Sequence, residues 1–91
     1  MYNAHMFYVY IIYSKGLGQH YIGQTNDLKR RITEHKTGKS TYTRRTDDWN
    51  LIYYEAYISR KLAMNRESKL KPRAKAYQEL IKRIVDKRGE G

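Results

Sequence analysis

Glu67 sits where an acid needs a reason. At helical spacing it shares a face with Leu62, Ala63, Arg66 and Leu70, so a carboxylate interrupts an otherwise apolar stripe. Desolvating that group is costly unless a cation pairs with it or a metal binds it. Arg66 and Lys71 are near enough in sequence to act as structural ion-pair partners, so both readings stand. Arg31 and His35 are four positions apart and lie side by side on another helical surface, next to Leu28 and Ile32. Charged groups at the apolar margins of two helices suggest a shared polar site. Most of the ten tyrosines must fill a core, since a phenol packs well on a sheet face and needs one partner for its hydroxyl. Two differ by context. Tyr10 lies in the middle of an apolar run, and Tyr21 precedes Ile22 and Gly23 where a second run ends.

The charge distribution points to a polyanionic partner. The net charge is +10, and residues 29–45 hold seven bases against one acid, among them Lys29, Arg30, Lys36, Lys39, Arg44 and Arg45. Residues 60–88 hold eleven bases and three acids, whereas residues 46–59 hold Asp47, Asp48 and Glu55 and no base. Two basic segments around an acidic one predict a positive surface with a small negative pocket, suited to a phosphate backbone and a metal-binding acid. Nucleic acid is the expected partner; a ribosomal or acidic-membrane contact, or a basic surface that only keeps the protein in solution, is the alternative. With no cysteine, disulfides, thiolate metal sites and a cysteine nucleophile are excluded, and a cytoplasmic home is expected. The apolar run at residues 6–13 is too short to cross a bilayer and lacks the preceding bases of a signal peptide, so no membrane role is expected.

These residues need elements to position them. Residues 7–13 (FYVYIIY) are continuously β-branched or aromatic and predict a central strand covered on both faces. Residues 14–19, with two glycines, predict a hairpin turn, and residues 20–23 a short return strand. Thr25 or Asn26 would cap a helix with Asp27 in its first turn, closed near Thr37, Gly38 and Lys39. A polar loop over 40–49 leads to a third strand at 51–58, Ser59 caps a second helix, and Pro72 ends it and starts a third. The inner stripe of that last helix would hold Ala74, Tyr77, Ile81, Ile84 and Val85. The order β-β-α-β-α-α predicts a small α+β domain, its sheet antiparallel or mixed, over residues 1–91. The core would run from about 7 to 88, with 1–5 and 89–91 frayed.

The motifs, in order, carry a resemblance. Tyr8-Val9-Tyr10, then Tyr21-Ile22-Gly23, the stretch from Gln24 to Arg31, and His35 resemble the defining pattern of the GIY-YIG nuclease superfamily. Leu51-Ile52-Tyr53-Tyr54-Glu55 and Arg66-Glu67-Ser68-Lys69-Leu70-Lys71 resemble the third strand and acidic helix of its small standalone bacterial members, so the likeness spans about 7–84. It implies three antiparallel strands flanked by helices and a metal-dependent cut of a phosphodiester bond. Tyr10, Tyr21, Arg31, His35 and Glu67 would be the catalytic residues, with Gly23 the structural glycine of the second motif. Glu67 would hold one Mg2+ or Mn2+, and Arg31 would offset charge on the phosphate. Tyr10 would take a proton from water, helped by Tyr21 or His35, and Arg31 or the metal would lower its phenol for that task. The chain departs from the pattern in having Tyr8 in place of the first glycine and no asparagine beyond Asn65. The resemblance favours DNA over RNA, with a partner protein as a source of specificity; slight sequence preference is expected because nothing in the chain resembles a recognition helix with base-reading side chains. A non-catalytic binding module, or a subunit of a larger nuclease or repair complex, is the alternative.

Overall fold

A computed structural model of the chain describes residues 5–71 and 74–87, the side chains of 85–87 excepted. The elements are β1 (Phe7–Ser14), β2 (Gln19–Thr25), α1 (Leu28–Lys36), β3 (Trp49–Tyr57), α2 (Arg60–Lys69) and α3 (Lys75–Lys87). The fold is α+β in the expected order. The strands form one antiparallel sheet in the order β2-β1-β3, which settles the choice between antiparallel and mixed.

The central strand feeds two cores. Val9, Tyr10, Ile11 and Ile12 have no exposed surface, as a strand covered on both faces requires. Because side chains alternate, Val9 and Ile11 pack with Ala63, Leu70, Tyr77 and Leu80 beneath α2 and α3. Tyr10 and Ile12 pack on the other face with Trp49, Tyr21, Leu28 and Ile32 beneath α1. A phenol and an imidazole therefore meet inside one of the two layers.

Several boundaries move for local reasons. Asp27, not Thr25 or Asn26, caps α1: its Oδ1 accepts from the Arg30 N–H at 3.0 Å, while Thr25 Oγ1 accepts from the Asp27 N–H at 3.1 Å. Ser59 caps α2 as expected, accepting from the Leu62 N–H at 3.1 Å. β3 begins at Trp49, which pairs with Ser14 and donates its indole N–H to the Thr43 carbonyl at 2.7 Å. β2 runs longer than 20–23 because its register with β1 holds to Thr25. Leu62 is 48% exposed, so the buried stripe of α2 narrows to Ala63 and Leu70. On α3, Tyr77 and the unforeseen Leu80 are the buried pair, with Ile81 and Ile84 packed beside them and Ala74 half-buried. The expectations for Pro72, the Val85 side chain and the frayed ends lie outside the described residues, apart from an exposed His5. Among the described residues no helix is long and apolar enough to cross a membrane.

Candidate active site

The site begins with a buried phenol–imidazole pair. Tyr10 comes from the middle of β1 and His35 from the last turn of α1; both are fully buried, and Tyr10 Oη lies 2.8 Å from His35 Nε2. The other ring nitrogen, Nδ1, is 2.6 Å from the Thr43 hydroxyl. Burial, reinforced by the Arg31 cation, pushes His35 down to about 4, so its ring is neutral and one nitrogen is free to accept. Gly23 stands opposite Tyr10 in the sheet register. A Cβ there would lie 2.6 Å from Tyr10 Cζ, so only glycine lets the Tyr10 ring lie across β2.

The Tyr10 phenol is not the lowered group that the sequence reading requires. Burial pushes it up to about 12, and the hydrogen bond and charge of Arg31 offset this only in part. Tyr10 is thus a neutral hydroxyl at neutral pH. Arg31, half-buried on α1, donates to Glu34 Oε1 at 2.9 Å and to Ser40 Oγ at 3.3 Å. Burial alone would lower its pKa, but Glu34, Tyr10 and Tyr21 raise it, so the guanidinium is always charged. The contacts to Glu34, Ser40 and Tyr10 do not use up its five N–H donors, which leaves capacity for an anion.

Glu67 reaches the site from the opposite layer. With Tyr21, Tyr42, His20, Ser68 and Lys71 it lines a cavity of about 400 Å³ at the β2 edge. Tyr21 connects this cavity to the buried pair, its ring centroid 5.2 Å from His35 and 6.4 Å from Tyr10. Glu67 has neither of the ion pairs that its neighbours in sequence offered. Arg66 instead donates twice to Glu55, at 2.8 and 2.9 Å, and Lys71 makes no ion pair with it. Burial pushes the Glu67 carboxyl up, with Lys71 opposing. A partly desolvated carboxylate with no ion pair among the described residues, on an open cavity, suits a hard cation that keeps its waters. Among the described residues no group of three or more His, Cys, Asp or Glu is placed to hold a metal, and Glu67 is the one carboxylate that lines this cavity.

The acidic segment does not form the expected negative pocket. Glu55 is held by Arg66 and accepts from the Tyr53 and Tyr57 hydroxyls, both at 2.5 Å; though burial alone would raise it, these partners draw it down to about 2. Asp48 staples the β1–β2 turn, accepting from Ser14 Oγ, the Gly16 N–H and Thr46 Oγ1. Both acids are consumed by tertiary structure. The six expected phosphate contacts, Lys29, Arg30, Lys36, Lys39, Arg44 and Arg45, are all exposed. Three of them, Lys36, Arg44 and Arg45, share a shallow hollow with Asp47, while Lys29, Arg30 and Lys39 lie outside it. Sequence reasoning missed Glu34, Ser40, Tyr42 and Thr43. A lone aromatic in a polar loop was the one available signal, at Tyr42; a serine and a threonine there carry none.

The family match of this basic α+β domain is to a nuclease-type family. Residues 6–80 match the GIY-YIG catalytic domain, and the chain belongs to that family, whose nucleases generally use divalent metals. A UPF0213 protein of Streptococcus pneumoniae serotype 4 is 36% identical over 76 residues, covering 82% of this chain and 76% of the relative. A UPF0213 protein of Streptococcus pyogenes serotype M5 is 41% identical over 61 residues, 66% of each chain. The solution NMR structure of a UPF0213 protein from Bacillus halodurans is 35% identical, with a TM-score of 0.51 over 84% of this chain and 81% of that one.

Proposed function

We propose that the chain acts as one GIY-YIG-like domain, a metal-dependent endonuclease that hydrolyses phosphodiester bonds in DNA with structural rather than sequence selectivity. The carrying observation is that Glu67, without an ion pair among the described residues, shares a cavity with Tyr21, whose ring packs on the buried Tyr10–His35 pair. Arg31 is the group that meets the charge developing on the phosphate. Water adds to phosphorus, the bond to the leaving sugar oxygen breaks, and the proton released by water must find a base. Neutral His35 is that base, in the tautomer whose Nδ1–H donates to Thr43 and whose Nε2 accepts from Tyr10. The Tyr10 hydroxyl gives its proton to Nε2 as it takes one from water or from Tyr21, so no free phenolate is required. Tyr21 lines the cavity and Tyr10 has no exposed surface, so water meets Tyr21 first. The chemistry that a bound Mg2+ or Mn2+ on Glu67 would supply is polarisation of the phosphoryl oxygen and support of the leaving oxygen. A cytoplasmic location, and a partner protein that adds target specificity, complete this reading.

The test is cleavage of duplex, branched and single-stranded DNA with and without divalent metal, beside Glu67→Ala. The variant is expected to lose cleavage, keep or slightly gain affinity by shedding a negative charge, and keep its melting temperature because the apolar stripe continues. A second reading, a binding module or a subunit of a larger nuclease or repair complex, draws on the single carboxylate at the cavity. Intact binding with no cleavage by the wild-type chain on any substrate would establish it.

A further inference from the structure

We propose that Tyr42 is a stacking platform for a nucleobase next to the phosphate held at the cavity, so that the site accepts a nucleotide whose base has an open face. This rests on the nucleic-acid reading above, but not on cleavage.

Tyr42 is 72% exposed, the most exposed large hydrophobic side chain among the described residues. It is not a stray surface aromatic. Its ring lies 5.5 Å from that of Tyr21 at a 40° tilt, and Tyr21 in turn packs 5.2 Å from His35. The row of rings therefore runs from the buried imidazole out to solvent and ends on a largely bare phenol beside Glu67.

The backbone on either side of Tyr42 is tied to the site. Ser40, 6% exposed, accepts from Arg31, and Thr43, fully buried, contacts His35 through its hydroxyl and accepts from Trp49 through its carbonyl. The Thr43 N–H closes the turn onto the Ser40 carbonyl at 3.2 Å. Residue 42 is thus bracketed by buried anchors, and its ring is presented without contributing to either core. Holding an aromatic in water on a fixed turn is unfavourable for stability and favourable for binding, because its ordering is complete before a ligand arrives.

Its neighbours specify the ligand. Two and three residues further on, Arg44 and Arg45 meet Lys36 in the basic hollow, so phosphate-binding charge follows the ring along the loop, while the ring itself shares its cavity with Lys71 and Glu67. An aromatic face between cationic positions is the arrangement by which proteins hold a nucleic-acid strand, base on ring and phosphates on cations. A base inside a continuous duplex has both faces stacked and cannot use Tyr42; an unpaired, frayed or displaced one can.

The experiment uses the full chain carrying Glu67→Ala, so that substrate is not consumed. A fluorescent single-stranded oligonucleotide with 2-aminopurine, and a blunt duplex of the same sequence, are titrated against this parent and against added Tyr42→Ala, Tyr42→Phe and, as a control exposed tyrosine, Tyr54→Ala. Tyr42→Ala is expected to weaken single-strand binding by roughly 5- to 100-fold and to abolish 2-aminopurine quenching, with little change on the duplex. Tyr42→Phe and Tyr54→Ala should bind like the parent. The salt slope should be unchanged by Tyr42→Ala but reduced by about one in Arg44→Ala, since only the latter removes a phosphate contact. Parent-like affinity and quenching in Tyr42→Ala overturn the proposal and leave the nucleic-acid reading standing. Loss of binding in Tyr42→Phe also overturns it, by assigning the effect to the hydroxyl. A parent that binds neither DNA overturns both. Equal melting temperatures across the variants exclude misfolding as the cause.

Discussion

In the tautomer proposed above, Thr43 decides which His35 nitrogen can receive a proton. Its hydroxyl contacts Nδ1 at 2.6 Å, and accepting from Nδ1–H leaves Nε2 bare toward Tyr10. Thr43→Val keeps the shape but leaves a buried nitrogen unpaired, which should cost about 1–3 kcal/mol of stability. It also frees the opposite tautomer, so kcat should fall at little change in KM, and Thr43→Ser should restore it. A purely structural role would lower stability without moving the acid limb of the kcat profile, so that profile is the deciding measurement. His35 itself makes the fold acid-sensitive. Its folded pKa, about 4, lies below the ordinary 6.5, so the unfolded chain takes up the proton first on acidification. Stability should therefore fall as pH drops from about 6.5 through 4, by as much as about 3 kcal/mol. Denaturant melts of the wild type and His35→Gln should show the slope from about pH 6.5 to 5 only in the wild type, while toward pH 4 both lose the contribution of carboxylates such as Glu55.

At the scale of elements, the β1–β2 ribbon is held together by what Gly23 lacks. Alanine there would press on a Tyr10 ring that is buried and bonded to His35, so Gly23→Ala should destabilise by about 1–3 kcal/mol. At this chain length each kcal/mol corresponds to a melting-temperature drop of about 4–8 °C. Tyr10→Phe should not rescue it, because Cζ remains in the way. Elements of this kind were legible in the sequence wherever one local rule governed them: the β-aromatic run of β1, the Ser59 cap, and the glycine that closes α1, Gly38, with its φ of 77°. The site was legible only as residue identities. Its supports were not, because Glu55 finds Arg66 eleven positions away and Thr43 finds His35 across a loop with no periodicity. Nor does any pattern in sequence reveal that burial outweighs Arg31 at Tyr10 and raises the phenol that the chemistry seemed to need lowered.

Across the whole molecule, a net charge of +10 with bases on the exposed parts of α1 and the following loop makes binding a counterion-release process. Contact with about four to six phosphates should give a log–log salt slope of roughly −4 to −5 on duplex DNA. A flat response, or no binding at low salt, would remove the basis for reading Lys29, Arg30, Lys36, Lys39, Arg44 and Arg45 as a phosphate surface. The cavity carries a further consequence. Tyr21 comes from the sheet, Tyr42 from the loop anchored to α1, and Glu67 from α2 in the opposite layer, so the β2 edge is spanned from both sides. An occupant that touches Glu67 and Tyr42 together clasps two layers otherwise joined through the sheet. Sub-global openings that peel α2 away would then have to release that occupant. Amide hydrogen exchange in α2 should accordingly slow in proportion to occupancy, and it should not do so in Glu67→Ala.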